Sequence, residues 1–457
     1  MSNARPISNH IRAILTLGLP LIGSHLANFA IGVTDTVMMG WYGVEELAAV
    51  VLASSFYFVV FIFGSGIALA VMPMVAEASE NDDEVEVRRA SRMGIWLSLA
   101  YGILVLPLFW YSGPILLALG QGDVLAHLGQ EYLLTIGPVI FPALLIMVLK
   151  SFLSGLERTQ VILWVSVLGA VLNGVLNWVF IFGKLGMPEM GVRGAAIASL
   201  TAQTVTFAMF ALYAVVLPEL RRYALFKRLW RSDTDALRRV FTLGWPISVT
   251  MLAEVGLFVG AAVLVGWIGT MEVAAHGIAL QISSATFLVH LGLSNAATIR
   301  AGRALGRHEI DDLQRGAHIV LIMSVLFSLV AVVVFVTYPE FITGLFLSPD
   351  NPERGLIIPL ASALLIISGL FQLVDGTQAV GLGLLRGVQD TRMPMLIAAF
   401  SYWGVGMPAS YYFGFHLGYG TEGIWYGLVT GLASAAVLLL SRFWLKTLPD
   451  LKICAQT

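Results

Sequence analysis

Twelve long apolar stretches restrict the possible folds of this chain more than any other feature. A helix needs about 20 mostly apolar residues to cross the hydrocarbon core of a bilayer. Helices satisfy their backbone hydrogen bonds internally, and the alternation typical of a membrane β-barrel is absent. The sequence therefore predicts an all-α integral membrane protein with transmembrane helices at approximately 13–40, 47–76, 93–119, 132–152, 159–183, 194–217, 240–268, 273–299, 316–339, 356–384, 393–416 and 423–445.

The composition agrees with a membrane protein and excludes several other classes. Of the 457 residues, 58% are hydrophobic and 12% are charged, whereas soluble proteins carry roughly twice that charged fraction. A net charge of −2 gives no indication of a nucleic-acid partner. Because Cys454 is the single cysteine, we expect no intrachain disulfide and no cysteine-based metal centre. The short polar start predicts that the first apolar stretch is a retained helix, not a cleaved signal peptide.

The distribution of Lys and Arg sets the expected orientation of the helices. Cytoplasmic loops of membrane proteins carry an excess of these residues. With the N-terminus inside, 23 of the 26 basic residues fall in cytoplasmic segments, and the exceptions are Lys184, Arg193 and Arg354. Since moving one helix boundary would scramble this bias, we expect both termini to be cytoplasmic. Lys150 and Arg386 lie near predicted helix ends, and we expect both to extend to the cytoplasmic interface.

An internal repeat divides the chain into two halves. Residues 16–78 align without a gap with residues 242–304, and 19 positions are identical, including the pattern GW-G--E-AA. We therefore predict two six-helix lobes related by a pseudo-twofold axis along the membrane normal, an architecture that suits alternating access. The expected domains are an N-lobe at 1–217, a cytoplasmic linker at 218–239 and a C-lobe at 240–457.

Three carboxylates lie inside the predicted spans. Glu254 is the one charged residue between Arg239 and Glu272, and Asp35 and Asp375 stand in similar surroundings. A charge at the bilayer centre costs roughly 2.5–3.5 kcal/mol on insertion scales. We interpret the three acids as groups that bind and release a cation or a proton. The alternative is a carboxyl group that shares a proton with a neighbouring amide in a structural contact.

Amide side chains are the expected partners of these acids. Asn28 lies two turns before Asp35 on the same helix face, and Asn173 and Asn177 are one turn apart and face the same way. We predict that the two later asparagines join Asp35 in one cluster, although a hydrogen-bonded brace between helices would use the same residues. Further candidates for a substrate cavity are Asn28, Gln281 and Gln378.

These segments together resemble the MATE (multidrug and toxic compound extrusion) transporters, in the NorM-type bacterial branch. The resemblance covers nearly the whole chain and is carried by VTDTVMMG, LNGVLNWVFIFGKLGMPEMG, LAEVGLF, VAAHGIALQ and QLVDGTQAVGLGLLRGVQDT. It implies two lobes around a V-shaped cleft in the bacterial inner (cytoplasmic) membrane. The implied activity is that of a multidrug efflux antiporter, which exports amphipathic, often cationic compounds in exchange for inward Na⁺ or H⁺.

The resemblance also implies roles for the polar residues. The polar cluster of the N-lobe matches Asp35, Asn173 and Asn177, and the cation site of the C-lobe, a Na⁺ site or a proton site, matches Glu254 and Asp375. We expect no cofactor, a monomer in the lipid bilayer, and small-molecule drugs and organic cations as partners.

Phe371 marks a point where this chain would differ from related C-lobe sites. It lies one turn before Asp375 and has no hydroxyl. A site that uses a tyrosine oxygen at this position would therefore have to be arranged differently here.

Other functions remain as alternatives. A flippase for a lipid-linked precursor would be expected to carry several Arg or Lys in its cleft to meet a pyrophosphate, whereas this chain carries acids. An integral-membrane enzyme would need a metal-binding His cluster or a nucleophile–base pair, and the spans contain neither. A channel is disfavoured because the repeat suggests two moving halves.

Overall fold

Helices account for the regular structure throughout the computed structural model, which describes residues 6–227, 229–349 and 351–454. The bases Arg5 and Arg228, which contribute to the charge bias, lie outside the described residues. The helices are α1 (Ile7–Tyr42), α2 (Val44–Leu69), α3 (Val71–Glu80), α4 (Glu84–Trp110), α5 (Ser112–Ala118), α6 (Asp123–Ile136), α7 (Ile140–Gly155), α8 (Thr159–Ile181), α9 (Gly191–Val216), α10 (Pro218–Arg221), α11 (Thr234–Gly266), α12 (Thr270–Gly306), α13 (Ile310–Thr337), α14 (Pro339–Gly344), α15 (Arg354–Gly387), α16 (Arg392–Ala399), α17 (Met407–Tyr411), α18 (Gly420–Arg442) and α19 (Leu448–Cys454).

Eleven helical stretches in the described chain have the length and composition needed to cross a membrane. Three of them join neighbouring helices, because α2 continues into α3, α6 into α7, and α18 into α19. Each of the eleven overlaps one of the twelve predicted spans. The prediction of a multi-pass all-α membrane protein is therefore confirmed.

The remaining predicted span, 393–416, is helical but interrupted. Between α16 and α17 the chain forms a π-helical segment at Phe400–Gly406, and a second one follows at Tyr412–His416. Pro408 has no N–H to donate to the carbonyl four residues earlier, and the Met407 N–H reaches back to the Tyr402 carbonyl in the wider π spacing. The span thus exists as a chain of short helical pieces, a form that often occurs at functional sites.

The chain folds into two compact units. The first unit, as used below, is Gly23–Ser248, and the second unit comprises the described residues up to Ile22 together with those from Val249 onward. Each boundary falls inside a long helix, α1 in one case and α11 in the other. The linker predicted at 218–239 belongs to the first unit, and its last residues, from Thr234, are already helical.

Each unit has its own buried apolar core. In the first unit α2, α4, α6, α7 and α9 contribute to a cluster that includes Ala53, Phe109, Leu133 and Ala196. In the second unit the large side chains of Tyr402 and Trp425 are fully buried.

Glycine allows α2 and α11 to cross closely in the first unit. A Cβ added at Gly66 would lie 2.5 Å from the Cα of Ser248, and one added at Gly244 would lie 2.7 Å from the Cα of Ile67. The hydroxyl of Ser248 also donates to the Phe63 carbonyl at 2.5 Å. Small residues are the usual means of close helix approach in membranes, where apolar side chains gain little by leaving lipid.

The second unit contains the corresponding crossing between α1 and α12. A Cβ added at Gly292 would lie 3.0 Å from the backbone nitrogen of Ile22. Gly292 and Ile22 stand 226 positions from Gly66 and Ser248, the offset of the sequence repeat. The helix starts follow the same offset, since α2 and α12 begin at Val44 and Thr270. The repeat is therefore present in the packing of each unit and not in the sequence alone.

The segment between α10 and α11 is attached to α4. Arg88 donates to the Tyr223 carbonyl at 2.6 Å, and the indole of Trp96 donates to the Leu229 carbonyl at 2.7 Å. The Arg89 guanidinium donates to Asp233 at 2.5 Å and 3.0 Å. This hydrogen bond holds the pKa of the Asp233 carboxyl at about 2, and the N–H of Ala236 adds to the effect. The ion pair is consequently intact at neutral pH.

The helix crossing at Gly66 predicts a sharp penalty for one methyl group. We expect Gly66→Ala to lower the free energy of unfolding by about 1–3 kcal/mol, because α2 and α11 must separate to accommodate it. Gly32→Ala is the matched control, since a Cβ there meets nothing within 4 Å, and alanine is the better helix former. Thermal unfolding in detergent measures both. Equal midpoints for Gly66→Ala and the wild type would show that the crossing is not close.

Candidate functional site

The predicted acids of the second unit lie together on two helices. Glu254 lies on α11, whereas Asp375 and Gln378 are three residues apart on α15 and therefore share one face of that helix. Tyr402 joins them from the π-helical segment Phe400–Gly406. Asp375 is 2% exposed and Gln378 and Tyr402 are fully buried, while Glu254 is half-buried.

Gln378 connects the two carboxylates. Its Nε2 donates to Glu254 Oε1 at 2.9 Å and to Asp375 Oδ1 at 3.2 Å. Its Oε1 accepts a hydrogen bond from the Tyr402 hydroxyl at 2.8 Å. Every polar atom of the amide is thus used, which orients it with its donors toward the acids. Sequence reasoning placed Gln378 along a substrate cavity, and the structure places it between the acids.

The arrangement suits a small cation or a proton. Because both carboxylate oxygens reach one nitrogen, they are separated by at most about 6 Å, and two negative charges this close repel each other in a medium of low dielectric constant. Carboxylate oxygens are the ligands that hard cations prefer. The described residues contain no group of three or more His, Cys, Asp or Glu that would form a tighter metal centre.

A basic side chain also acts on this cluster. Arg386 on α15 is half-buried, and its charge attracts that of Glu254. Sequence position alone could not show this, because α11 and α15 meet only in the folded chain. The expectation that Arg386 extends to the interface stays a prediction.

Phe371 forms part of an aromatic wall beside Asp375. Its ring centroid lies 5.9 Å from that of Phe258 and 5.7 Å from that of Trp425. The indole of Trp425 in turn donates to His276 Nδ1 at 3.1 Å, so His276 has a structural contact in this wall. Phe371 contributes no oxygen to the cluster, and the hydroxyl in contact with Gln378 comes from Tyr402.

The first unit brings together Asp35 and the two asparagines of α8. Asn177 Nδ2 donates to Asp35 Oδ1 at 2.5 Å and to Asn173 Oδ1 at 3.2 Å. Asn173 Nδ2 continues the chain of contacts to Ser199 Oγ on α9 at 3.4 Å. Both asparagines are buried, and Asp35 is half-buried. The predicted cluster therefore exists as a contact, with Ser199 as a member that sequence reasoning missed.

One buried acceptor in this cluster has no donor within the described chain. Asn177 Oδ1 lies inside the unit without a hydrogen-bond partner, next to an amide nitrogen that binds Asp35. Buried polar atoms are normally paired. An amide oxygen beside a carboxylate can accept a hydrogen bond from a protonated group or act as a ligand to a small cation.

Asn28 and Gln281, the two remaining residues predicted for a substrate cavity, make fewer contacts with the acid clusters. Asn28 has an exposed side chain and lines a small cavity of the first unit together with Asn173. Gln281 on α12 is exposed, and its side chain makes no hydrogen bond to any described residue. The structure therefore does not bring Gln281 to the cluster of Glu254 and Asp375.

Two further polar residues escaped sequence reasoning for identifiable reasons. Tyr402 lies in an aromatic-rich segment, FSYWG, where packing is the ordinary interpretation. Lys150 was expected to extend to the cytoplasmic interface, which is wrong: its Nζ donates to Ser24 Oγ at 3.1 Å, and Ser24 is 3% exposed. The predicted span ended at 152, whereas α7 continues to Gly155 and so places Lys150 five residues before its end.

Comparison with known proteins identifies the family. The MatE family model matches residues 20–179 and 246–412. A probable multidrug resistance protein NorM of Rhizobium meliloti is 48% identical, over 95% of this chain and 93% of that protein. One of Agrobacterium fabrum is 44% identical, over 97% and 96%. The multidrug resistance protein NorM of Burkholderia vietnamiensis is 36% identical, over 96% and 95%.

Solved structures show the same fold at lower sequence identity. The eukaryotic MATE transporter AtDTX14 superposes with a TM-score of 0.88 at 19% identity, covering 98% of each chain. A MOP superfamily transporter from Pyrococcus furiosus gives 0.86 at 21% identity, covering 96% of each chain. The family model matches once in each half of the repeat and covers well over half of the sequence. This multi-pass membrane protein therefore belongs to the MatE family.

Proposed function

We propose that this protein is a multidrug efflux antiporter that exports amphipathic, often cationic compounds in exchange for Na⁺ or H⁺ moving inward. Its relatives with the NorM name are described as multidrug resistance proteins, which supports small-molecule drugs and organic cations as cargo. The proposed mechanism is alternating access, in which the protein opens to one side of the membrane at a time. The protein needs no cofactor besides the coupling ion.

The observation that carries this proposal is the pair of acid–amide clusters, one in each unit. Carboxylates within apolar helices are costly, and an amide that holds them in place gives each cluster a defined geometry. Acids at the centre of both clusters favour positively charged cargo and coupling ions. A lipid-linked pyrophosphate would instead need several cationic groups there.

In the second unit, the chemistry follows from the repulsion between two neighbouring carboxylates. A cation or a proton bound between Glu254 and Asp375 removes that repulsion, and its departure restores it. Gln378 keeps both oxygens aimed at one point, and Tyr402 keeps the amide from rotating. The cluster is therefore more stable with the ion bound than without it. A coupled exchange requires such a difference between the two states.

In the first unit, Asp35 is proposed to link the coupling ion to the cargo. Ionised, it attracts a cationic compound. Protonated, it becomes a hydrogen-bond donor, and Asn177 Oδ1 is a buried acceptor next to it. A proton therefore both removes the attraction for cargo and offers the cluster a second set of hydrogen bonds, as a two-state element needs.

The same proposal includes location and assembly. We place the protein in the bacterial inner membrane as a monomer, with both termini in the cytoplasm, on the strength of the Lys and Arg bias. It interacts with the lipid bilayer and with its small-molecule cargo, and not with nucleic acid.

Coupled efflux is the direct test. Purified protein in vesicles should move ethidium or norfloxacin uphill when a Na⁺ or a pH gradient is imposed separately, and fluorescence of the compound reports the movement. Uphill transport that persists after both ion gradients and the membrane potential are abolished would contradict the proposal, as would no transport under any gradient.

The carboxylate pair predicts two variants that fold normally but do not exchange. Glu254→Gln and Asp375→Asn should keep the fold, because each removes a buried charge at nearly constant shape. Exchange should fall by about tenfold or more, in line with the loss of a charged hydrogen bond. Exposed Glu340→Gln is the matched control. Vesicle efflux at equal expression measures the effect, and wild-type rates in either variant would remove that residue from the mechanism.

Asp35 predicts a pH effect with a defined sign. Ethidium binding to the wild type should weaken as pH falls, because protonation removes the negative charge that attracts it. Asp35→Asn should bind ethidium more weakly and without this pH dependence, whereas the exposed acid variant Asp123→Asn should behave like the wild type. Equilibrium binding across pH measures all three. Identical pH profiles for Asp35→Asn and the wild type would make Asp35 a structural residue.

A further inference from the structure

Lys150 is a half-buried cation of the first unit without an acidic partner among the described residues. Its Nζ donates to Ser24 Oγ, and it lies 6.0 Å from the centroid of the Phe210 ring. Ser24 in turn shares a hydrogen bond of 2.8 Å with Ser166. The ionisable neighbour on α1 is His25, which interacts with the Lys150 charge and brings no negative charge. A charge that is partly removed from water is costly unless it is paired, which favours an anion beside this ammonium.

A small cavity adjoins Lys150. It has a volume of about 30 Å³ and is lined by residues of α1, α7, α8 and α9, including Asn28, Lys150, Ser166, Asn173, Ser199 and Gln203. A cavity of this size holds one or two water molecules or a group of similar size. It is too small for a drug molecule but sufficient for a carboxylate group or a chloride ion.

The lining offers several hydrogen-bond donors next to the Lys150 ammonium. Lys150 carries three N–H groups, of which Ser24 takes one. The amides of Asn28 and Gln203 each have two N–H groups, and no described residue accepts from either side chain. Ser199 accepts from Asn173, which leaves its own hydroxyl hydrogen available. Donors around a positive charge are what an anion requires.

Asp35, the acid of the candidate site in this unit, does not pair with Lys150. Asp35 binds Asn177, and it follows Ser24 on α1 by eleven residues, which corresponds to about 16 Å along a helix. Asn177, which binds Asp35, also contacts Asn173, and Asn173 lines the cavity beside Lys150. These side chains form a polar track between the two charged residues. One end of the track is therefore negative and the other positive.

We propose that Lys150 is the centre of a small-anion subsite, which takes the carboxylate of a zwitterionic substrate or a free chloride ion. The subsite deepens the proposed function, on which its role in transport rests. It would make this protein handle compounds with an amine and a carboxylate as well as simple cations.

Equilibrium binding to the purified protein in detergent tests the subsite independently of transport. The probes are norfloxacin, which has an amine and a carboxylate, its methyl ester, in which the carboxylate charge is absent, and ethidium. The proteins are the wild type, Lys150→Gln, Lys150→Arg and the control Lys184→Gln, which changes an exposed lysine of the same unit. Each measurement is made in chloride and again with gluconate as the anion.

If the subsite takes a substrate carboxylate, the wild type prefers norfloxacin to its ester by roughly tenfold to a hundredfold, the range expected for a charged hydrogen bond. Lys150→Gln loses this preference and keeps its affinity for the ester and for ethidium, which also shows that it is folded. Lys150→Arg and Lys184→Gln retain the preference. If chloride is the ligand, ethidium binding to the wild type changes between chloride and gluconate, and Lys150→Gln is insensitive.

The inference is overturned if Lys150→Gln and the wild type show the same preference between acid and ester and the same response to chloride. That result would leave the proposed antiport untouched. Conversely, absence of ion-coupled efflux together with a Lys150-dependent acid preference would overturn the proposed function and keep the anion subsite.

Discussion

Carboxylates within membrane helices depend on the donors that the fold supplies, and here those donors are amides. Gln378 holds Glu254 and Asp375, and Asn177 holds Asp35. A neutral amide donates a hydrogen bond to a carboxylate oxygen and leaves the negative charge in place. A full ion pair with Arg or Lys would neutralise that charge. The acids thus remain able to accept a cation or a proton. Removing the amides would leave unsatisfied groups at a cost of about 1–3 kcal/mol each, so the geometry of both clusters rests on them.

The helix packing follows the sequence repeat, whereas the acidic residues do not. The glycine crossings at Gly66 and Gly292 are repeats of one another, and so are the helix starts of α2 and α12. In contrast, Asp35 corresponds to Ala261, and Glu254 corresponds to Asn28. Duplication therefore accounts for how the helices pack. The acids of the two clusters therefore do not follow the repeat, and each unit has its own arrangement of polar residues.

Each unit also contains a basic residue, and the two basic residues are placed differently relative to the acids. The charge of Arg386 attracts that of Glu254, which partly offsets the repulsion between the two carboxylates of that cluster. Lys150 donates to Ser24 and lines a small polar cavity instead. Opposite charges at the two ends of one polar track are compatible with cargo that carries both signs.

Much of this protein followed from its sequence, because the relevant physics is local to each segment. The membrane-spanning helices, the repeat and the identities of Asp35, Asn173, Asn177, Glu254 and Asp375 could all be read from apolar length, positional identity and the cost of a charge in lipid. Which side chains touch depends on helix rotation and close approach, and those come from tertiary packing. The fold alone decided that Gln378 bridges two acids, that Tyr402 orients it, that 393–416 is interrupted by π-helical segments, and that Lys150 faces inward.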